Sequence, residues 1–381
     1  MAALASGAAV GAGKDPWREV KEFLDGERRA GVFPGSALIA SRAGDVAFRR
    51  FDGTYRGLKG KAIPLTPAVS HPLYSYSKLV SSTVIAMLVG EGLLDYDARV
   101  SAYIPEFTGG GKEPITLRYL LTHAAGIPSA PLGRAGTEEE WQAGVRSVCA
   151  ATTEWEPGSR TAYHALSGLF VAAEAARRVL KGKPWPEICR ERLFGPIGAS
   201  TLTFGLPREQ ALTALTPQPA ETPADLDTWF GIVGQPGGGC FGTAADALKV
   251  VWLHLNGGAW GARRLIPRDV LDRVHTVQFA REIETARAAG KPPAHEPWGL
   301  GPLLRGDGPE AQTPGWFGFG SRPSPGVFGH AGIDTVIGVG DMTDGRAVMF
   351  ITTDSPRPPE KTVPLRNGVT DRAFAALQAS T

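Results

Sequence analysis

The sequence predicts an α+β protein: an antiparallel sheet built from both ends of the chain, flanked by helices, with an all-helical region between. Strand-like segments sit near both ends, at 36–41 and 45–50 early and at 334–340 and 347–354 late. Helical periodicity with cap residues fills the middle. A sheet assembled from both ends, with a helical insertion between them, follows from that arrangement, and no repeat of 20–50 residues is present. The expected division is a flexible tail at 1–14, a sheet subdomain from 15–70 together with 240–381, and a helical subdomain at 71–239. The functional groove is expected between these subdomains.

The elements follow in order. Residues 1–14 are rich in Ala and Gly and have no periodicity. A helix is predicted from Asp15, with Trp17, Val20, Phe23 and Leu24 on one face. Two short strands follow, joined by Ala43-Gly44. Residues 76–90 make a strong helix carrying Leu79, Val80, Val84, Ile85, Leu88 and Val89. Thr116 starts the helix ITLRYLLTHAAG, which stops at Gly126. Thr137 with Glu140 reads as a capping box, and residues 163–181 as a long Ala-rich helix. Thr243 with Asp246 offers a second cap, for a helix ending at Gly257-Gly258. Two late strands flank the turn at Asp344-Gly345, and residues 370–378 close the chain as a helix. The Pro- and Gly-rich stretch 279–327 is too long for a connector and reads as a binding rim or a lid.

Composition narrows the function. The chain has 381 residues, with 40 Lys+Arg against 38 Asp+Glu. With so little basic excess and no basic block, nucleic acid is excluded as a partner. No stretch of 18 apolar residues exists, so no membrane span is expected. Three cysteines, Cys149, Cys189 and Cys240, lack C-x-x-C spacing, which argues against a disulfide scaffold or zinc site and for reduced thiols. The first residues lack the charge and the apolar run of a secretory signal. A cytoplasmic protein is the resulting expectation. His71, His123, His254, His275 and His295 show no metal-ligand spacing, so neither metal nor other cofactor is expected. His123 reads as a helix-end residue that caps a turn. The 49 glycines and 31 prolines, about a fifth of the chain, point to many turns and shaped loops.

Three short motifs could carry chemistry. Ser75-Tyr76-Ser77-Lys78 opens the strong helix. Three residues are close to one helical turn, so the hydroxyl and the amine can lie side by side. A serine needs a base to become a nucleophile, and burial lets lysine be that base by disfavouring the ammonium. S-x-x-K by itself occurs by chance in a chain of this size, and a solvated lysine is its ordinary meaning. Tyr163 follows the turn Glu156-Pro157-Gly158 and opens a helix, where a phenol near an ammonium can relay a proton; alone it would read as a core tyrosine. Gly329-His330-Ala331-Gly332 stands before an apolar strand. Glycines there let a substrate approach the edge backbone and its N–H groups.

In this order the motifs resemble the penicillin-recognising serine hydrolases, which comprise class C β-lactamases, D,D-peptidases and family VIII carboxylesterases. FPGSALIAS, GEGLLDYDARVSAYIPEF, ITLRYLLTHAAG, WEPGSRTAY, LFGPIGASTLTF and GGGCFGTAADALKVVWLHLNGG are similar to the family's connecting segments, over residues 31–355. The resemblance implies a β-lactamase/transpeptidase-like fold. It implies that Ser75 is acylated, that Lys78 is its proton partner and Tyr163 the second acid/base group, and that the N–H groups of Ser75 and Ile333 form an oxyanion hole. His330, Gly332 and Trp316 are expected at the substrate. Trp298, Trp316, Phe317, Phe319 and Phe328 either wall an acyl pocket or pack as core.

Two departures bear on specificity. His330 replaces the Lys of the family's K-T-G and removes a permanent cation. The family's Y-x-N reads Tyr163-His164-Ala165, and an alanine methyl cannot bond an acylamino group. Both lean toward family VIII carboxylesterases and related acyltransferases. The expected partner is a small-molecule ester, with release of the acyl group to water or to an alcohol or amine. The same scaffold could instead serve a β-lactamase or D,D-peptidase, or a catalytically silent ligand-binding protein. Oligomeric state is not readable from the sequence.

Overall fold

The structure, a computed structural model, describes residues 15–56, 62–130, 132, 137–205, 234–306, 318–333, 336–353 and 359–380. Its strands are β1 (Gly35–Arg42), β2 (Asp45–Arg56), β3 (Ala62–Pro64), β4 (His71–Pro72), β5 (Thr203–Phe204), β6 (Cys240–Gly242), β7 (Ala259–Trp260), β8 (Arg263–Arg264), β9 (Leu303–Leu304), β10 (Val327–Gly332), β11 (Val336–Asp341) and β12 (Arg346–Thr352). Its helices are α1 (Arg18–Arg29), α2 (Ser77–Gly90), α3 (Leu117–Leu121), α4 (Glu138–Ala150), α5 (Ser167–Val179), α6 (Trp185–Cys189), α7 (Ala244–Leu255), α8 (Arg268–Val274), α9 (Ala280–Ala288) and α10 (Pro359–Ala379).

Seven strands form one antiparallel sheet in the order β3-β2-β1-β12-β11-β10-β9. The ends of the chain do meet: Ser36 lies opposite Thr352, and the register runs through to Arg42 opposite Arg346. The turn between β1 and β2 has φ of +50° at Ala43 and +87° at Gly44. This is the primed-turn geometry whose twist suits a hairpin. Alternation along β1 sends Leu38 and Ala40 to one face and Ala37 and Ile39 to the other. The first face packs on Val20 and Leu24 of α1 and on Phe374 and Leu377 of α10. The second joins the larger core, with Val251 of α7 and Leu79 and Ile85 of α2. Helix α2 is buried on every side from Ser77 to Leu88, which marks it as an interior helix rather than an amphipathic surface one.

Several expected boundaries move. The helix expected from Thr116 to Gly126 is only α3, capped by the Thr116 hydroxyl accepting the Tyr119 N–H. It stops because His123 takes φ of +58°, which a helix cannot continue through. The helix expected at 163–181 begins at Ser167, so Tyr163 lies on the loop before α5. The Thr137–Glu140 capping box forms in both directions. Thr243 caps α7 by accepting the Asp246 N–H, but the Asp246 carboxylate turns to Thr201 instead of completing a box. The closing helix is 21 residues long and carries Pro364 inside it. Residues 331–332 belong to β10 itself, and the apolar run after them is its antiparallel neighbour β11. The 279–327 stretch contains α9 and β9 as well as loop. The expected 1–14 tail lies outside the described residues.

Candidate active site

Strand β4 pairs with β6, and β6 with β5, in a small three-stranded sheet beside the main one. From β4 the chain makes one tight 3-10 turn, Tyr74–Tyr76, and enters α2. The turn is anchored on both sides of Ser75. The Leu73 N–H bonds the Cys240 carbonyl at 2.8 Å, the Tyr76 hydroxyl donates to the Ala247 carbonyl at 2.8 Å, and the Ser77 hydroxyl accepts the Cys240 N–H at 3.0 Å. Tyr76 thus packs and does not react. Tyr74 has φ of +45°, a strained value for a bulky residue, at the position before Ser75. Ser75 itself is half-buried while its neighbours are buried.

Lys78, one turn along, is fully buried. Its Nζ lies 3.2 Å from Ser75 Oγ and donates to the Gly237 carbonyl at 2.7 Å. Its partners are a hydroxyl and a carbonyl, not a carboxylate. Burial therefore lowers its pKa from 10.5 to about 7. The Ser81 hydroxyl holds the neighbouring Pro236 carbonyl at 2.6 Å, which fixes the glycine-rich run that Lys78 leans on.

Tyr163 reaches the same pair from the helical region. Lys78 Nζ is 4.8 Å from its ring centre. Burial raises the phenol's pKa well above its ordinary value, and hydrogen bonding to Ser75 draws it partly back. The three groups that the sequence singled out, separated by up to 88 positions, therefore converge. A hydroxyl, an amine able to be neutral near pH 7 and a phenol in mutual reach can pass a proton among themselves.

The histidines divide differently. His164, beside Tyr163, is tied off: its Nδ1–H donates to the Ala162 carbonyl at 2.6 Å and its Nε2 accepts the Ile127 N–H at 3.0 Å. Burial holds it down to about 4. Its neighbour Ala165 is exposed. His330 lies in β10, buried, with Nδ1–H donating to the Ala331 carbonyl at 2.8 Å. Burial, reinforced by Lys78, lowers its pKa to about 3, so the ring is neutral. His123 has a place in the site that the sequence reading missed, its ring 4.7 Å from that of Tyr163. The one hint was its position at a helix end, 40 residues before Tyr163, and that spacing alone does not connect the two.

The end of β10 presses on the nucleophile turn. A Cβ on Gly332 would stand 2.7 Å from the Leu73 carbonyl oxygen and 3.1 Å from Tyr74 Cβ. Ile333 follows and is 47% exposed. Arg366 of α10 fixes the strand end from behind, donating to the Gly332 carbonyl at 2.9 Å. Of the aromatic cluster, Trp298, Phe319 and Phe328 are buried. Trp298 forms part of the floor under Tyr163, its ring 6.4 Å from the phenol ring. Trp316 and Phe317 lie outside the described residues. Among the described residues there is no cluster of His, Cys, Asp or Glu that could hold a metal ion, and no helix long and apolar enough to cross a membrane.

The Beta-lactamase family model matches residues 19–368. The chain belongs to that family and carries its serine-hydrolase fold. Among individual proteins, it is 31% identical over 153 residues to the esterase/beta-lactamase LipL of Mycobacterium tuberculosis, a match covering 40% of this chain and 35% of that one. The chain thus aligns with about a third of that relative's length. A penicillin-binding protein homolog from Caulobacter crescentus superposes with a TM-score of 0.75 at 23% identity, over 96% of this chain and 99% of that one. A family VIII carboxylesterase structure gives the same TM-score, identity and coverage.

Proposed function

We propose that the protein is a serine esterase working through an acyl-enzyme on Ser75. The observation that carries this is the buried amine of Lys78, 3.2 Å from the Ser75 hydroxyl and held by neutral partners, with its pKa near 7. In its neutral form the amine accepts the hydroxyl proton as Ser75 Oγ attacks the ester carbonyl. The N–H groups of Ser75 and Ile333 receive the oxyanion. Tyr163 passes a proton to the leaving alkoxide, so that an alcohol departs and the acyl group stays on Ser75. Water, or an alcohol or amine acceptor, then takes the acyl group by the reverse proton path.

The preference for neutral esters rests on two positions. His330, buried and neutral, stands where a cation would bind a substrate carboxylate. Ala165 offers no amide to an acylamino side chain. The family VIII carboxylesterase among the structural neighbours supports the same direction, and the name of LipL carries both esterase and β-lactamase. The test uses p-nitrophenyl butyrate: the wild type gives a burst of nitrophenol followed by turnover, and Ser75→Ala gives neither. Nitrocefin turnover matching ester turnover would overturn the ester preference, and an undiminished burst in Ser75→Ala would overturn the acyl-enzyme.

A further inference from the structure

We propose that His123 is a positioning residue that aims the Tyr163 phenol at Ser75 and Lys78; this rests on the esterase reading above. One residue grips the chain on both sides of Tyr163. The His123 carbonyl oxygen accepts the Ala162 N–H at 3.0 Å, and the His123 imidazole Nδ1 accepts the His164 N–H at 3.1 Å. These two N–H groups bracket the tyrosine. Residues 162–164 lie on loop, with no helix or strand ladder to hold them. The two bonds to His123 therefore replace the backbone pairing that regular structure would have provided.

The imidazole also confines the phenol ring sideways. His123 and Tyr163 rings lie 4.7 Å apart and tilted by 45°. On its other flank His123 meets Trp298 edge-on at 4.5 Å, and the Trp298 indole N–H is held by Glu296 at 2.8 Å. His123 is 1% exposed, so the ring has no room to swing. Because Nδ1 accepts a backbone N–H, the neutral ring carries its proton on Nε2.

The backbone gives a second, independent observation. His123 holds φ of +58° at the point where α3 ends. Strain of this sort persists where surrounding structure imposes it. With this turn a single residue presents its carbonyl and its side chain to the same three-residue segment 40 positions away. A group aimed by such a clip shifts when the clip is cut, and a displacement of about 1 Å can cost on the order of 100-fold in rate.

The experiment compares His123→Asn and His123→Gly, alone and combined with Tyr163→Phe, using p-nitrophenyl butyrate. Both replacements tolerate a positive φ, Gly with less strain than Asn, so a slower Gly variant cannot be blamed on the turn; only Asn keeps a side-chain oxygen that can accept the His164 N–H. The expected result is a kcat roughly 10–100-fold lower in His123→Gly with KM within about twofold. His123→Asn should recover most of the loss, and His123→Gly should add nothing once Tyr163 is already Phe. Losses that multiply in the double variant, or an Asn variant as slow as Gly at equal folded content by circular dichroism, would overturn the proposal. Failure of a fluorophosphonate to label Ser75 in the wild type would instead strike the esterase reading and this inference with it.

Discussion

Lys78 is a buried amine without a counter-ion among the described residues, and that makes a quantitative demand on stability. A lysine whose pKa falls from 10.5 to about 7 on folding costs the folded state about 4–5 kcal/mol at pH 7 and below, at 1.36 kcal/mol per pKa unit. The unfolded chain binds the extra proton between about pH 7 and pH 10.5, so stability must rise with pH through that window. Between pH 7 and pH 9 the rise from this one group is about 2 kcal/mol, with a slope of at most about 1.4 kcal/mol per pH unit. Lys78→Met removes the titration while keeping a flexible chain of similar length. It also leaves the Gly237 carbonyl without its donor, so the absolute stability of the variant is not the measurement. The pH slope is. Guanidinium unfolding at pH 7, 8 and 9 should give a wild-type stability rising about 2 kcal/mol more than that of Lys78→Met, because every other group titrates in both. The same ionisation should appear as the ascending limb of kcat/KM near pH 7, since the proposed mechanism needs the neutral amine. Parallel stability curves would refute the reasoning: Lys78 would then titrate outside this window, and the case for it as base would fall.

Two other perturbations test the frame around the site. Gly332→Ala places a methyl 2.7 Å from the Leu73 carbonyl oxygen, a contact that only backbone movement relieves; kcat should fall on the order of 10–100-fold with the protein still folded, checked by ester turnover beside a thermal melt. Glu174 is 2% exposed and receives the Trp141 indole N–H at 2.7 Å, Arg177 at 3.3 Å and Arg178 at 2.6 Å. Glu174→Leu leaves Arg177, 3% exposed, without its buried partner and should lower stability by about 3 kcal/mol in chemical denaturation, the lower end because Glu138 still pairs with Arg177 at 2.5 Å.

The fold was legible wherever a local signal and a long-range one agreed. The short apolar runs at 36–41 and 347–354, each beside a turn at Ala43-Gly44 or Asp344-Gly345, identified the strands, and their burial on both faces of the sheet is what joins them across 300 positions. The Thr137–Glu140 box was readable because capping is chemistry of four consecutive residues. The start of α5 was not. Residues 163–166 have helix-compatible composition, but the Ala162 and His164 N–H groups bond to His123 from another segment, and tertiary bonds override propensity. The site was legible to the same extent. Ser75 and Lys78 are fixed by one helical turn, and Tyr163 by its turn context, whereas the Gly237 carbonyl and the His123 clip depend on segments that no spacing rule connects. His123 was set aside because a lone histidine at a helix end usually caps a turn, and its role is visible only once Tyr163 is seen between its two bonds. The aromatic residues near 298–328 had two equal readings: Phe319 and Phe328 pack into the two cores, while Trp298 is buried in one of them and also underlies Tyr163.

Several of the places where this chain breaks local rules lie around one hydroxyl. Tyr74 and His123 take positive φ without being glycine, Lys78 is buried without a carboxylate, and Tyr163 sits on loop with its phenol covered. Each feature alone is unfavourable, by about 1–3 kcal/mol for a strained backbone position. Their coincidence within one cluster has a physical use. Positive φ at Tyr74 turns the chain just before Ser75 and α2, positive φ at His123 lets it bond on both sides of Tyr163, and burial lowers the pKa of the amine between them to about 7, as the proposed mechanism requires. A protein selected for stability alone would replace Lys78 with an apolar residue and relax both turns. That such variants should be more regular yet unable to acylate is the trade-off expected of a site in which local unfavourable terms are held by the two cores on either side.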